Sequence, residues 1–419
     1  MIMQNKRLYP AKTAQMRTDR RSFLQLGGLG LLGAGVAGVS DAAEPPSWSE
    51  AGGGFSNYGQ PADTEQRTIR WISANPAVPG EGVSWTPLHE LEGTITPNGL
   101  HFERHHNGVP SIDPDEWSLL VNASGERSLR YSLADLHRYP LQSRILFIEC
   151  GGNSNTLWKP QPVQAAAGHL HGLVSGCEWT GVALSVLLQE AGISTQDKWL
   201  IADAMDASGV TVSLPIAKCL DDVLVALYQN GEALRPENGY PARLVVPGWE
   251  GIVNVKWLRS LSLSDVPLMS RFDTVSYTDL QKDGIAERMT FEMGVKSIIT
   301  SPSVGQQLTT TGDYEVRGLA WSGAGRIQTV ELSADGGRNW VPAHLQEPVL
   351  DRALTRFRLP WHWDGRAQVL MSRATDTAGA RQPSRDELIS AKGGNVYYHY
   401  NGICAWAVDV DGDISHVYA

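Results

Sequence analysis

Residues 145–153 read Ile145-Leu-Phe-Ile148-Glu149-Cys150-Gly151-Gly152-Asn153. The apolar run Ile145–Ile148 predicts a buried strand, and the Cys-Gly-Gly that follows predicts a turn at its end. A strand that ends this way presents a thiol at a loop where backbone can come close, because glycine permits unusual φ and close approach. A thiolate there is a soft metal ligand or a nucleophile. A thiol there can equally be a small buried hydrophobe, and Cys177, Cys219 and Cys404 are read that way. No pair of cysteines forms Cys-x-x-Cys, which argues against a zinc ribbon or a redox dithiol.

Outward from this strand, the stretch from about Ile69 to Met289 alternates short β-like runs with helical windows. In Val182-Ala-Leu-Ser-Val-Leu-Leu-Gln-Glu190 the apolar residues fall at helical spacing, and Gly192 closes the helix. Arg243-Leu-Val-Val-Pro-Gly248 predicts another strand ending in a turn. From about Val295 the pattern changes to short alternating runs: Tyr314–Trp321, Ile327–Leu332, Leu354–Leu359 and Ala367–Arg373, with Asp335-Gly-Gly-Arg-Asn339 as an intervening turn. Strands so spaced predict an all-β sandwich. The expected layout is therefore an α+β domain over 66–290 and a sandwich over 291–419, preceded by a loose leader over 43–65. A length of 419 residues accommodates this.

Lys plus Arg number 35 against 45 Asp plus Glu, a net charge of −10. Coating nucleic acid needs clustered positive charge, so that class is excluded. Four cysteines cannot build a disulfide framework. Outside the N-terminus no apolar stretch approaches the roughly 20 residues that span a bilayer. Residues 1–42 have a basic start, then Thr18-Asp-Arg20-Arg21-Ser-Phe-Leu24, a Gly-rich apolar run and the small-residue exit Ser40-Asp-Ala42. This predicts an export signal, and the paired arginines resemble a twin-arginine signal. The expected location is the periplasm.

Several further motifs stand in a fixed order around Cys150. Upstream is Phe102-Glu-Arg104-His105-His106-Asn-Gly-Val-Pro110. Downstream are Trp179-Thr-Gly181, Asn238-Gly-Tyr-Pro-Ala-Arg243, Val255-Lys256-Trp257 and Asp273-Thr-Val-Ser-Tyr277-Thr-Asp279. Gly318-Leu-Ala-Trp321 and Val330-Glu-Leu-Ser-Ala-Asp-Gly-Gly-Arg-Asn-Trp340 follow. This series resembles the sulfite oxidase family of molybdenum enzymes. Within the family, Pro87–Arg104, Gly231–Pro236, Pro247-Gly-Trp-Glu-Gly251 and Tyr277–Leu280 look like the SoxC-type molybdenum subunit of sulfane dehydrogenases. The fold this implies is a sulfite-oxidase-type α+β molybdopterin domain followed by an immunoglobulin-like dimerisation sandwich.

The resemblance implies a molybdenum atom held by one molybdopterin, a pyranopterin dithiolene, with Cys150 as the protein's sulfur ligand. Arg104 matches the family's active-site arginine, holding negative charge as oxygen transfers to sulfur. Tyr277 matches the active-site tyrosine, a hydrogen-bond donor that can gate proton release. Arg243 matches the contact to the pterin's phosphate, Asn238 stands where the family often has His, and Lys256 lies in a pterin-touching segment. His105 and His106 are expected at the cofactor. Asp203 falls near the family's pterin-contacting aspartate, with Asp206 as the alternative. A zinc or haem role for the histidines lacks a ligand cluster or a Cys-x-x-Cys-His, and a glycosidase role for the two aspartates lacks any sugar-binding feature. His169 and His171, if the chain is extended there, would share one strand face and could border the pocket.

One departure bears on substrate. Sulfite oxidases usually follow the cysteine with Ala-Gly-Asn and two arginines, whereas here Gly151-Gly-Asn153 precedes Ser154-Asn155. A weaker cationic field suits free sulfite less well than sulfur delivered on a carrier. The implied function is oxidation of carrier-bound persulfide sulfur in thiosulfate oxidation. Electrons would pass to a cytochrome c, since the chain has no haem or iron–sulfur motif, and the sandwich would form a homodimer within a hetero-oligomer. The alternatives are dehydrogenation of free sulfite with the same cofactor, a sulfoxide reductase of the family, and a cofactor-free periplasmic binding protein on a degenerate enzyme fold.

Overall fold

In the computed structural model the strand around Ile145–Ile148 runs from Leu141 to Glu149. It pairs antiparallel with Val174–Ala183 along its whole length, from Leu141 opposite Val182 to Glu149 opposite Val174. The strands Leu224–Gln229 and Glu232–Ala233 extend this sheet, and Arg243–Val245 pairs with Leu224–Gln229. Residues 58–418 are described, apart from 67, 124–127, 195–197, 288–289 and 395. The expected signal, and most of the expected leader, lie outside the described residues; Asp63–Glu65, within that span, form a short 3-10 helix. Residues 61–419 form one unit, to which everything below refers.

Two more sheets complete the N-terminal half. A three-stranded antiparallel sheet joins Trp71–Ala74, Gly82–Trp85 and Glu103–His105. A five-stranded sheet has the order Ser128–Ser132, Ser118–Asn122, Leu258–Ser264, Trp199–Ala204, Thr211–Pro215. Between the two five-stranded sheets lies a core that includes Leu119, Val182, Val225, Leu244 and Leu261. The helix Leu184–Glu190 adds Leu184, Leu187 and Leu188 to that core, the i, i+3, i+4 stripe its sequence predicts. Gly192 past its end has φ +82°, a conformation glycine adopts without strain.

The C-terminal half is a sandwich of two sheets. One has the order Lys296–Ser301, Gly312–Trp321, Thr355–Trp363, His344–Leu345; the other runs Val341–Pro342, Ile327–Ser333, Gln368–Asp376, Ala405–Val408, Ile414–Val417. Inward residues alternate along each strand, so Val316, Phe357 and Trp363 meet Val330, Leu370 and Trp406. The turn Asp335–Asn339 is held by the Asp335 carboxylate, which accepts the Arg338 and Asn339 amides. The two halves share a core: Phe147 and Val174 pack against Ile298, Leu319 and Trp321. Burying that apolar face fixes the Cys150 strand onto the sandwich.

Residues 167–171 are one helical turn, not an extended stretch. Leu170 drives it into the sandwich core, so His169 and His171 do not share a strand face. No helix among the described residues is long and apolar enough to cross a membrane.

Candidate active site

The Cys150 strand ends in a tight turn. The Cys150 amide donates to Leu173 O at 2.9 Å, and the Asn153 amide donates back to Cys150 O at 2.9 Å. A Cβ at Gly151 would collide with the buried Glu250 carboxylate, so any larger residue there must displace that side chain. Beneath the turn is a buried polar network. Glu149 accepts from Lys296 (3.1 Å), Asn153 (2.8 Å) and the Trp321 indole (2.6 Å). Lys296 also donates to Ser154 Oγ at 2.7 Å, which lies 2.7 Å from His171 Nδ1. Ser154 and His171 are thus committed to structure below the site.

Cys150 faces a cavity that Arg104, Arg243, Lys256 and Tyr277 also line. Burial pushes its thiol up to about 11, aided by the negative charge of Glu250 and opposed by the Gly152 backbone and Arg104. Such a thiol is a poor free nucleophile, while a bound soft cation would hold it as thiolate.

The far wall carries two buried cations, Arg243 and Lys256, and the cavity lining also includes Asp206 and Glu237. Arg243 is buried, and its guanidinium donates to Asn238 O (2.9 Å), Asn254 O (3.0 Å) and Leu244 O (3.4 Å) while resting 4.9 Å from the Trp179 ring. Among the described residues no carboxylate pairs with it, and burial lowers it to about 9. Beside it the Asn238 side-chain amide nitrogen is buried without a partner. His101 is held neutral by burial, lowered to about 3, and its Nδ1 donates to Phe102 O at 2.8 Å. That leaves its Nε2 as a buried, unpartnered acceptor.

Lys256 spends its ammonium protons on Arg104 O (3.2 Å), Glu237 O (3.1 Å) and His105 Nδ1 (3.0 Å). Since Nδ1 accepts, His105 Nε2 carries the proton and donates to Glu103 at 2.6 Å. Burial and the Lys256 charge lower His105 to about 3, so it stays neutral. Burial likewise drives Lys256 well below its ordinary value, a penalty that an anion in the cavity would relieve.

Arg104 and Tyr277 stand near Cys150. Arg104 donates to the His105 carbonyl and lies 3.5 Å from Glu81 Oε1. Tyr277 has φ +57°, and burial raises its phenol well above its ordinary value, with the Cys150 charge adding to this. It is therefore a neutral donor at any physiological pH. His106 Nε2 lies 3.5 Å from its hydroxyl, and burial lowers that imidazole to about 4.

The structure places Arg104, His105, His106, Cys150, Asn238, Arg243, Lys256 and Tyr277 around one cavity. Of the two candidate aspartates, Asp206 lines the cavity and Asp203 does not. Asp203 points between strands, where Thr211 (2.7 Å) and Ser260 (2.7 Å) occupy its oxygens. His169 packs against Trp71 and His89, away from the cavity. Sequence reasoning missed His101, Glu237 and Asn254 on the wall. It also missed Glu250 and the segment Tyr397–His399, which pack against the Cys150 turn. Asn254, a polar residue inside Ile252-Val-Asn-Val255, carried a local signal; Tyr397–His399 carried none.

A family model described as the oxidoreductase molybdopterin binding domain matches residues 106–272, and one for the Mo-co oxidoreductase dimerisation domain matches 287–404. The solved sulfane dehydrogenase SoxCD from Paracoccus pantotrophus is 42% identical, with TM-score 0.86, covering 92% of this chain and 100% of that one. The chain belongs to the sulfite oxidase family. Mitochondrial sulfite oxidases of Mus musculus and Homo sapiens are each 32% identical, over 66% and 65% of this chain. The chain spans about half the length of these curated relatives, 54% and 52%.

The family's molybdopterin cofactor fits this cavity on the cavity's own chemistry. An anionic end would meet the counter-ion-free Arg243 and the unpartnered Asn238 amide. A donor group would meet His101 Nε2, and the metal would meet the thiol of Cys150. The neutral histidines and the phenol supply polar edges without adding charge.

Proposed function

We propose that this chain is the molybdenum subunit of a periplasmic sulfane dehydrogenase, oxidising persulfide sulfur presented on a carrier protein. The observation that carries the substrate choice is the state of Arg104. It is the guanidinium beside Cys150, and it is already shared between Glu81 and a backbone carbonyl. Ser154 and Asn155 carry no charge where sulfite oxidases usually have two arginines, which leaves less positive charge at the Cys150 turn for a small free dianion. The 42% identity to a solved sulfane dehydrogenase supports the same reading.

Molybdopterin, when bound, supplies the oxygen transfer and two-electron chemistry. The chain's own residues bind and orient. Cys150 provides the thiolate to the metal, while Arg243, Asn238 and Lys256 hold the anionic end, with His105 and His106 along the way. Asp206 adds a carboxylate to that wall. Arg104 faces the negative charge of the sulfur substrate. Tyr277 keeps its proton and donates a hydrogen bond at the reacting oxygen. Electrons leave to a cytochrome c outside the chain, which has no haem attachment motif of its own.

In this reading residues 1–42 are a twin-arginine export signal and 43–65 a leader. Residues 66–290 hold the cofactor, and 291–419 pair two copies within a hetero-oligomer. The test is turnover by purified holoenzyme, with a c-type cytochrome as acceptor, on a persulfidated carrier and on free sulfite. The expected kcat/KM favours the carrier by about a hundredfold or more. Rapid oxidation of free sulfite with a micromolar KM would assign the chain to sulfite dehydrogenation instead.

A further inference from the structure

Among the described residues, the non-glycine residues at positive φ include Ser154, Trp257, Tyr277 and His399, all at the cavity or the Cys150 turn. For a tyrosine this conformation costs roughly 1–2 kcal/mol and persists only where neighbours enforce it. For Tyr277 the neighbours come from far along the chain. The Tyr398 ring stacks on it with centroids 5.1 Å apart and planes at 28°. The segment carrying Tyr398 is stitched down on both sides. The amides of Tyr397 and Tyr398 donate to one oxygen of the buried Asp279, at 2.9 and 3.1 Å. The next amide, that of His399, donates to Gly151 O at 2.8 Å. The His399 ring lies 3.3 Å from Glu250, which packs on Gly151.

Residues 397–399 therefore bridge the Cys150 turn and the Tyr277 turn, and Asp279 is only two residues beyond Tyr277 in sequence. We propose that Tyr398 is a positioning residue for the Tyr277 phenol, with Asp279 as the clamp that sets it. The C-terminal half thereby determines the distance between the phenol and Cys150. This deepens the proposed function, because it rests on Tyr277 acting at the reacting centre.

The test is a double-mutant cycle with a second readout that needs no cofactor. Tyr398→Leu removes the platform and is expected to lower kcat ~10- to 100-fold with little change in KM, as for a misplaced catalytic group. Tyr398→Phe keeps the ring but loses the hydrogen bond between its hydroxyl and the Tyr277 backbone, so its kcat should fall less than that of Tyr398→Leu. Tyr277→Phe lowers kcat by about 100-fold or more, and adding Tyr398→Leu to it should cost nothing further, because both act through one phenol. Hydrogen–deuterium exchange on the cofactor-free protein should show the Tyr397 and Tyr398 amides deprotected in Asp279→Ala and protected again in Asp279→Asn. Multiplying losses in the double variant, full kcat in Tyr398→Leu, or unchanged exchange in Asp279→Ala would each overturn the proposal. Full kcat in Tyr277→Phe would instead sink the catalytic reading, leaving the clamp to be judged by amide exchange.

Discussion

Lys296→Met should be among the most destabilising single changes in this protein. Its ammonium lies with 2% side-chain exposure, 3.1 Å from an equally buried Glu149. Burial lowers Lys296 and the Glu149 charge holds it up, so the pair is mutually dependent. Methionine replaces the stem but not the charge, and leaves a carboxylate in the interior. Removing one partner of a buried pair costs about 3–5 kcal/mol. Glu149 keeps Asn153 and the Trp321 indole as donors, which places the cost at the lower end, about 3 kcal/mol. With a urea slope of about 3 kcal/mol per molar, the midpoint falls by about 1 M. Tryptophan fluorescence is a direct probe, since Trp321 touches the pair. Glu149→Gln with Lys296→Met removes both charges and should return to within about 1 kcal/mol of wild type. A loss under about 1 kcal/mol for Lys296→Met, or a double variant as unstable as the single, would mean that the two charges do not depend on each other.

Arg243→Met removes the counter-ion-free guanidinium. Molybdopterin retention should weaken about 10²- to 10⁴-fold, read as molybdenum per purified chain, since truncating a buried charge partner costs about 3–5 kcal/mol. His101 is neutral in the fold, near 3 against an ordinary 6.5. Below pH 6.5 the unfolded chain takes up a proton that the fold refuses, so stability is full above 6.5 and drains as pH falls toward 3. In urea titrations of the cofactor-free protein, His101→Asn should flatten that slope by up to about 1.4 kcal/mol per pH unit. Gly151→Ala drives a methyl into the Glu250 carboxylate. It should cost about 1–3 kcal/mol in urea unfolding and lower molybdenum content as well, because the displaced turn carries Cys150.

What could be read from sequence was what the chain keeps local. Cys150 sits at the end of an apolar run closed by glycines, and Arg243 and Lys256 are charges embedded in apolar neighbours; such patterns announce a wall and a turn. The alternating runs after Val295 likewise announced the sandwich, because each strand must show one face to a core. Asp203 failed for a reason of register. It is on the strand Trp199–Ala204, where adjacent strands claim its oxygens, whereas Asp206 falls beyond the strand end and faces the cavity. The helical turn at 167–171 was hidden because five residues show no period. Tyr398 and His399 were illegible for a deeper reason: their meaning comes from Asp279 and Gly151, more than a hundred residues away, and no local pattern encodes such a contact.

Molybdenum-edge X-ray absorption on the loaded protein, compared with Cys150→Ser, addresses the ligand itself. The serine variant should show one sulfur neighbour fewer at the metal, with electron delivery to cytochrome lost. An identical sulfur count in the two proteins would contradict the assignment of Cys150 and the function built upon it.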